Sequence, residues 1–347
     1  MQLRRSLKRS LLAPLRVPGV AEVISTVTAT CASIFMLHRF SSPEDGVSGH
    51  DPATLRTVLS HLRKQRYALI SVQEMFRRLR EGEPISRAIA FTIDDGYFDH
   101  ASVGGPIFAE FDCPVTVFLV SGFLDGKNWL WWDQIQYICE TTPRTQLRVR
   151  VSIGGEERLF RLSSVPARLA AARSISSWCQ DASESDRLAC IARMSQEADT
   201  ELPAIPPRRF APLSWDEARH LERQAVTFGP HTVTHPILSS TSADQAESEI
   251  RSSWKRVCEE LVAPVPIFSY PGGRRRDFGP REMKSIERLG LWGALAGYPR
   301  RFRPEEFRYA PEIYHVPRFP FSDDLLDILQ CVSGVEAVKA RLRGAGA

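Results

Sequence analysis

The sequence predicts an α/β protein in which a parallel sheet is closed or partly closed by helices. Three observations carry this. Apolar runs with the length of buried strands recur at residues 31–37, 67–70, 88–93 and 115–120. Segments of helical periodicity lie between them, at 52–65, 72–80 and 103–111. Strand and helix therefore alternate, which is the pattern of βα units. In such folds ligands gather at the carboxyl ends of the strands.

Each element has its own warrant. The first strand ends at His38-Arg39. Within 52–65, Leu55, Val58, Leu59 and Leu62 share one helical face. The run 88–93 leads straight into Asp94, Asp95 and Gly96. Residues 125–212 break the rhythm and read as an inserted α/β segment, placed as a cap over the site. The insertion holds Trp129, Trp131, Trp132 and Asp133, then a strand pair at 147–153 and 157–162 turning at Gly154-Gly155. Helices at 166–179 and 185–200 follow, and Pro203, Pro206, Pro207 and Pro212 close it. The tryptophans are expected mainly to pack under the cap. The alternation then resumes: strand 225–228, helix 243–261, strand 267–270, helix 283–289, strand 293–296 and a terminal helix 325–342. The domain expectation is a basic helical segment at 1–30, a main domain at 31–325 and a terminal helix at 326–347.

Composition sets limits. Hydrophobic residues make up 43% and charged residues 25%, a soluble globular balance. A net charge of +4, with no nucleic-acid-binding signature, excludes nucleic acid as the expected partner. The seven cysteines are scattered, with no Cys-x-x-Cys, and read as reduced thiols. Arg4, Arg5, Lys8 and Arg9 precede a short apolar stretch that Pro14, Arg16 and Pro18 interrupt. This reads as neither an export signal nor a span. The expected location is cytoplasmic, with the basic segment suited to peripheral contact at the inner face of a membrane. Oligomeric state is left open.

The chemistry centres on two motifs. Two adjacent carboxylates at the end of a buried strand, Asp94 and Asp95, repel each other unless a positive charge intervenes. A divalent metal would take one as ligand and leave the other as a base. Far along the chain, His231-Thr232-Val233-Thr234-His235 carries two imidazoles at i, i+4, flanked by Gly229-Pro230 and Pro236. That spacing suits convergence on one metal from a tight loop. Asp95, His231 and His235 form a three-ligand set with open positions, the layout of a catalytic metal site.

These residues resemble the polysaccharide deacetylase, or NodB-homology, family. Thr92-Ile93-Asp94-Asp95-Gly96 is similar to its first motif, with Ile93 for the usual Phe. The His231–His235 run is similar to its second, and Phe268-Ser269-Tyr270-Pro271-Gly272 to its third. Leu213-Ser214-Trp215-Asp216, Pro317-Arg318-Phe319 and Met36-Leu37-His38-Arg39 add support. The resemblance implies an irregular (β/α) barrel of about seven strands. It implies a metal-dependent hydrolase that removes N-acetyl groups from amino sugars of a polysaccharide, oligosaccharide or lipid-linked precursor, in surface-polysaccharide biosynthesis. Zinc is the expected metal, with cobalt, nickel or iron as alternatives.

The implied roles are specific. Asp94 is the base. His38 is the acid that protonates the leaving amine, as in a branch of the family that looks circularly permuted; His315 is the alternative acid. Tyr270, Pro271, Gly272, Arg318 and Trp132 are the expected substrate contacts, with a backbone amide after Tyr270 available to the oxyanion. The third motif often carries an Arg beside the base, and Ser269 stands there instead. Arg318 and Arg39 are the candidate substitutes. Two other readings remain: a deformylase of a lipid-linked formamido sugar, and a non-catalytic carbohydrate-binding relative. A small-amide hydrolase on the same scaffold is a further possibility.

Overall fold

The computed structural model describes residues 31–333 apart from 153 and 225. The 1–30 segment and the stretch beyond 333 lie outside the described residues, as do the expectations placed on them. Strand β3 (Ala88–Asp95) is the centre of the molecule, and every residue in it is buried. Its near-continuous apolar run is what a parallel strand covered on both faces requires. Strand β1 (Ser33–Leu37) pairs along one edge, and β2 (Ala68–Leu69) and β4 (Val115–Leu119) also pair with it. Strand β7 (Val226–Pro230) pairs with β4, and β11 (Phe319–Pro320) with β1, all parallel. A smaller parallel sheet has the order β10 (Val316–Pro317), β9 (Gly293–Ala296), β8 (Ile267–Ser269).

The two sheets do not close into the expected barrel by hydrogen bonding. At one junction Val265 N donates to Phe228 O at 2.7 Å, but Pro264 and Pro266 have no N–H to extend that contact into a ladder. At the other, Arg318 separates β10 from β11 as the chain steps from one sheet to the other.

Helices cover both faces. Helix α1 (Pro52–Lys64) buries Leu55, Val58, Leu59 and Leu62, the face the spacing predicts, and Asp51 caps its first turn. Helix α2 is Val72–Glu81. Helix α3 (Gly105–Glu110) is shorter than expected because a π-helical turn, His100–Gly104, precedes it. Gly104 lies flat against the Phe40 ring, where a side chain would collide. Side chains alternate between two cores, Phe35 and Leu37 pointing to one and Ile34 to the other.

The insertion has a core of its own. Helix α4 (Ser121–Leu124) leads into it and α5 (Trp131–Thr141) is its first helix, neither read from the sequence. The antiparallel pair β5 (Gln146–Arg150) and β6 (Glu157–Arg161), then α6 (Val165–Cys179) and α7 (Glu184–Glu197), match the expected order. Ile135, Ile138, Val149, Ile175 and Ile191 pack together inside it. Helix α8 (Trp215–Glu222) was also missed, although Ser214 and Glu217 form a complete capping box that the sequence displays. Helices α9 (Ala243–Glu260), α10 (Pro280–Arg288) and α11 (Leu325–Ser333) complete the described chain. None of the described helices is long and apolar enough to cross a membrane.

Candidate active site

The parallel strands deliver their chemistry at one end. His38 follows β1, Asp94 and Asp95 end β3, His231 follows β7, Ser269 ends β8, and Arg318 lies between β10 and β11. These side chains meet at a cavity of about 370 Å3. Its floor includes His38, Asp94, Asp95, His231, His235 and Arg318. Its roof comes from the insertion, with Trp131 and Trp132 of α5 and Ser176, Ser177 and Gln180 on and just after α6.

Asp94 and Asp95 sit side by side but face different partners. Arg318 grips Asp94 with two parallel bonds, Nη1 to Oδ1 and Nη2 to Oδ2, both 2.8 Å. The same guanidinium reaches Thr92 Oγ1 at 3.0 Å and Ser269 Oγ at 2.9 Å. Burial alone would raise the Asp94 pKa, but Arg318 outweighs it and holds the carboxyl well below its ordinary range. The position beside Asp94 is thus taken by Arg318, 224 residues away in sequence. Arg39 is committed elsewhere: its Nε donates to Asp99 Oδ1 at 2.9 Å, and its guanidinium lies 3.7 Å from the Tyr97 ring centroid.

Asp95 has no such cation. Burial, with Asp94 and Asp133 nearby, pushes its carboxyl well above the usual range. Its Oδ1 is buried without a hydrogen-bond partner, 3.6 Å from His231 Nε2 and 3.5 Å from His235 Nε2. Two donors each ~2.1 Å from a common tetrahedral ion stand ~3.4 Å apart. The spacing therefore fits a divalent cation better than direct hydrogen bonds. The ligand atoms of all three residues lie within 4.8 Å of one another. Burial lowers both histidine pKa values, which keeps the rings neutral and able to ligate. His231 Nδ1 pairs with Ser269 O at 2.7 Å, leaving Nε2 for the cluster.

The histidine loop is held from behind by Glu249 of α9. Its Oε2 accepts from Val233 N at 2.7 Å and Thr234 N at 3.0 Å, and its Oε1 from Thr234 Oγ1 at 2.7 Å. Backbone φ is positive at Asp95 (84°), Thr232 (68°) and His235 (60°), a conformation that non-glycine residues adopt at a cost. No sequence signal singled out Glu249, because a lone acid on a helix reads as a solvated face.

His38 lines the cavity and is exposed. Partial burial lowers its pKa, opposed by Asp94 and reinforced by Arg318. His315 is not at the site. It packs against Phe307 and shares a 2.8 Å hydrogen bond with Tyr298 Oη through Nδ1.

Of the expected substrate contacts, Tyr270, Gly272, Arg318 and Trp132 line the cavity and Pro271 does not. Tyr270 N donates to Leu295 O and Gly273 N to Pro271 O, and proline has no N–H. The amide expected after Tyr270 therefore moves to Gly272. Trp132 does more than pack. Its ring meets His235 edge-on at 4.7 Å, and its Nε1 donates to Tyr97 Oη at 2.8 Å. Tyr97 Oη in turn donates to Asp133 Oδ2 at 2.7 Å, and burial lifts Asp133 to about 7.

The family model for polysaccharide deacetylase matches residues 183–290, which include His231, His235, Ser269 and Tyr270. This stretch of the chain is similar to the polysaccharide deacetylase family. Solved structures of deacetylases are similar to this chain in fold. The Streptococcus pyogenes deacetylase PplD, solved with acetate, has a TM-score of 0.56 at 15% identity, covering 88% of this chain and 99% of that one. IcaB from Ammonifex degensii has a TM-score of 0.55 at 13% identity, covering 88% and 97%. A de-N-acetylase from Aggregatibacter actinomycetemcomitans has a TM-score of 0.52 at 14% identity, covering 85% and 96%. No curated protein matches the sequence.

Proposed function

We propose that this chain is a metal-dependent amide hydrolase of the polysaccharide deacetylase type that removes N-acetyl groups from amino sugars. The observation that carries the reading is the pairing of Asp94 with Arg318 beside the Asp95, His231 and His235 cluster, all opening on one cavity. Asp95, His231 and His235 would hold a divalent ion, zinc being a good match to two imidazoles and a carboxylate. Bound there, the ion would polarise the amide carbonyl and acidify a water.

The chain's own groups do the rest. Arg318, Thr92 and Ser269 fix the Asp94 carboxylate, which takes a proton from the attacking water. The water oxygen would bond to the acyl carbon, and the Gly272 N–H is the backbone donor we assign to the oxyanion. His38, on the cavity floor and neutral at rest because its pKa is lowered, would take the water's proton from Asp94 and pass it to the nitrogen as the carbon–nitrogen bond breaks. Acetate and a free amine leave. Asp94 and Arg318 stay a neutral pair before the reaction, so the buried site avoids an unpaired charge.

The roof narrows the substrate choice. A cavity of about 370 Å3 under the α5 and α6 roof has room for one acetylated sugar unit and little more. A short oligosaccharide or a lipid-linked precursor in surface-polysaccharide assembly suits it better than a long polymer lying across the surface. Metal-loaded protein incubated with N-acetylglucosamine oligomers and lipid-linked sugar extracts should release acetate; release of formate alone would shift the reading to a deformylase. Asp94→Asn should abolish release, and His38→Ala should reduce it. Absence of release from every amidated sugar, with metal bound, would overturn the proposal.

A further inference from the structure

His38 stands on the cavity floor, yet no hydrogen bond holds its ring among the described residues. A group that hands a proton to a leaving nitrogen has to sit within hydrogen-bond reach of it. Here the backbone that carries the ring is what is fixed. His38, Arg39 and Phe40 are each gripped by Asp99 or His100, at the turn that leaves β3. Asp99 Oδ2 accepts from Phe40 N at 2.7 Å, and its Oδ1 accepts from Arg39 Nε at 2.9 Å. His100 donates from Nε2 to the His38 carbonyl oxygen. Asp99 and His100 are both fully buried.

His100 is an odd residue for packing alone. Its ring meets Phe40 and Tyr97 edge-on, with centroids 6.2 and 6.0 Å away, in surroundings that suit an apolar side chain. Burial lowers its pKa to about 4, so the ring is neutral, and a neutral ring that faces a carbonyl carries its proton on Nε2. The bond to His38 O is the ring's one hydrogen bond among the described residues. His100 also opens the π-helical turn ahead of α3, a rare backbone form found frequently at functional sites. The same short stretch that starts at Asp95 thus reaches back to β1, whose Leu37 pairs with Ile93 of β3. One turn ties the strand end that bears His38 to the strand end that bears Asp94 and Asp95.

We propose, on the reading of His38 as the group that delivers the proton, that Asp99 and His100 are positioning residues that set His38 against the leaving nitrogen. His100→Leu removes the donor, and His100→Gln keeps one at similar reach. On the zinc-loaded full chain with N-acetylglucosamine oligomers, His100→Leu should lower kcat about tenfold or more and leave KM and zinc affinity unchanged. His100→Gln should restore part of the loss. In a His38→Ala background His100→Leu should cost nothing further, because its effect runs through the ring already removed. An equal loss in both backgrounds would make His100 merely structural and overturn the proposal, as would an unaltered kcat in His100→Leu. Full activity in His38→Ala would overturn the reading of His38 and this proposal with it. A second measurement needs no turnover. In isotope-labelled histidine spectra of the zinc-loaded protein, the His38 ring signal, assigned through His38→Ala, should shift or broaden in His100→Leu while those of His231 and His235 stay in place. A His38 signal that does not move overturns the proposal even where no substrate is turned over. If His100→Leu does not fold, Asp99→Asn takes its place in both measurements; it keeps an acceptor for Phe40 N and loses the ion pair with Arg39.

Discussion

Two neighbouring aspartates on β3 have opposite electrostatic fates, and the difference comes from one residue on a distant loop. Arg318→Met would leave Asp94 buried without a cation, and should cost about 3–5 kcal/mol in a denaturant titration. Arg318→Lys keeps a charge but not the paired geometry, so it should rescue part of the stability and little of the activity. Asp94's folded pKa lies below its unfolded value. Its contribution to stability is therefore complete above the unfolded pKa, about 4, and lost as pH falls further toward the folded value. In Arg318→Lys the folded value is higher, so the loss should begin at the same pH but end at a higher one and be smaller in total, and the acid limb of the rate profile should move up with the folded value. Asp95 has the opposite sign. Its raised pKa means the metal-free protein loses stability as pH climbs from about 4 toward the folded value. Zinc at about a thousand times its dissociation constant should add about 4 kcal/mol and release protons, seen as a buffer-dependent binding heat. Unchanged melting with zinc, or the same gain in Asp95→Ala, would count against the three-ligand cluster.

Elements decide how much of this could be read in advance. Strands β1, β3 and β4 were legible because strands covered on both faces carry runs of apolar side chains, and the site residues fall at their ends. The helix α5 was not, since Trp131 and Trp132 look like loop aromatics until their partners in α6 and α7 are known. Arg318 was only one of two candidates, because pairing across 224 residues leaves no local trace. Barrel closure was over-read, since prolines at the β7–β8 junction remove the N–H groups a ladder needs. Glu249 on α9 left no signal at all, yet it holds the histidine loop through three bonds. Glu249→Gln should loosen that loop and weaken metal binding about 10- to 100-fold, with the fold intact by circular dichroism. An unchanged metal affinity would show that the loop is fixed by Thr232 and the strained backbone instead.

At the scale of the whole molecule, a sheet that carries the reactive groups meets a roof with its own hydrophobic core. The two touch where it matters: Trp132 lies against His235, and Asp133 takes the Tyr97 hydroxyl proton in a hydrogen bond. Ser176 and Ser177 face the cavity from α6 and leave it room. This division separates two kinds of failure. Ser177→Trp would fill the space under the roof without touching Asp94, Asp95, His231 or His235. It should raise KM for a sugar oligomer about tenfold or more while metal affinity stays unchanged. Trp132→Phe keeps a ring beside His235 but loses the bond to Tyr97, so its effect should fall on kcat and metal affinity together. If Ser177→Trp left KM unaltered, the substrate would be entering from elsewhere and the roof would not be selecting it. If instead it destroyed metal binding, roof and floor would be one cooperative unit, and the separate core of the insertion would not confer independence.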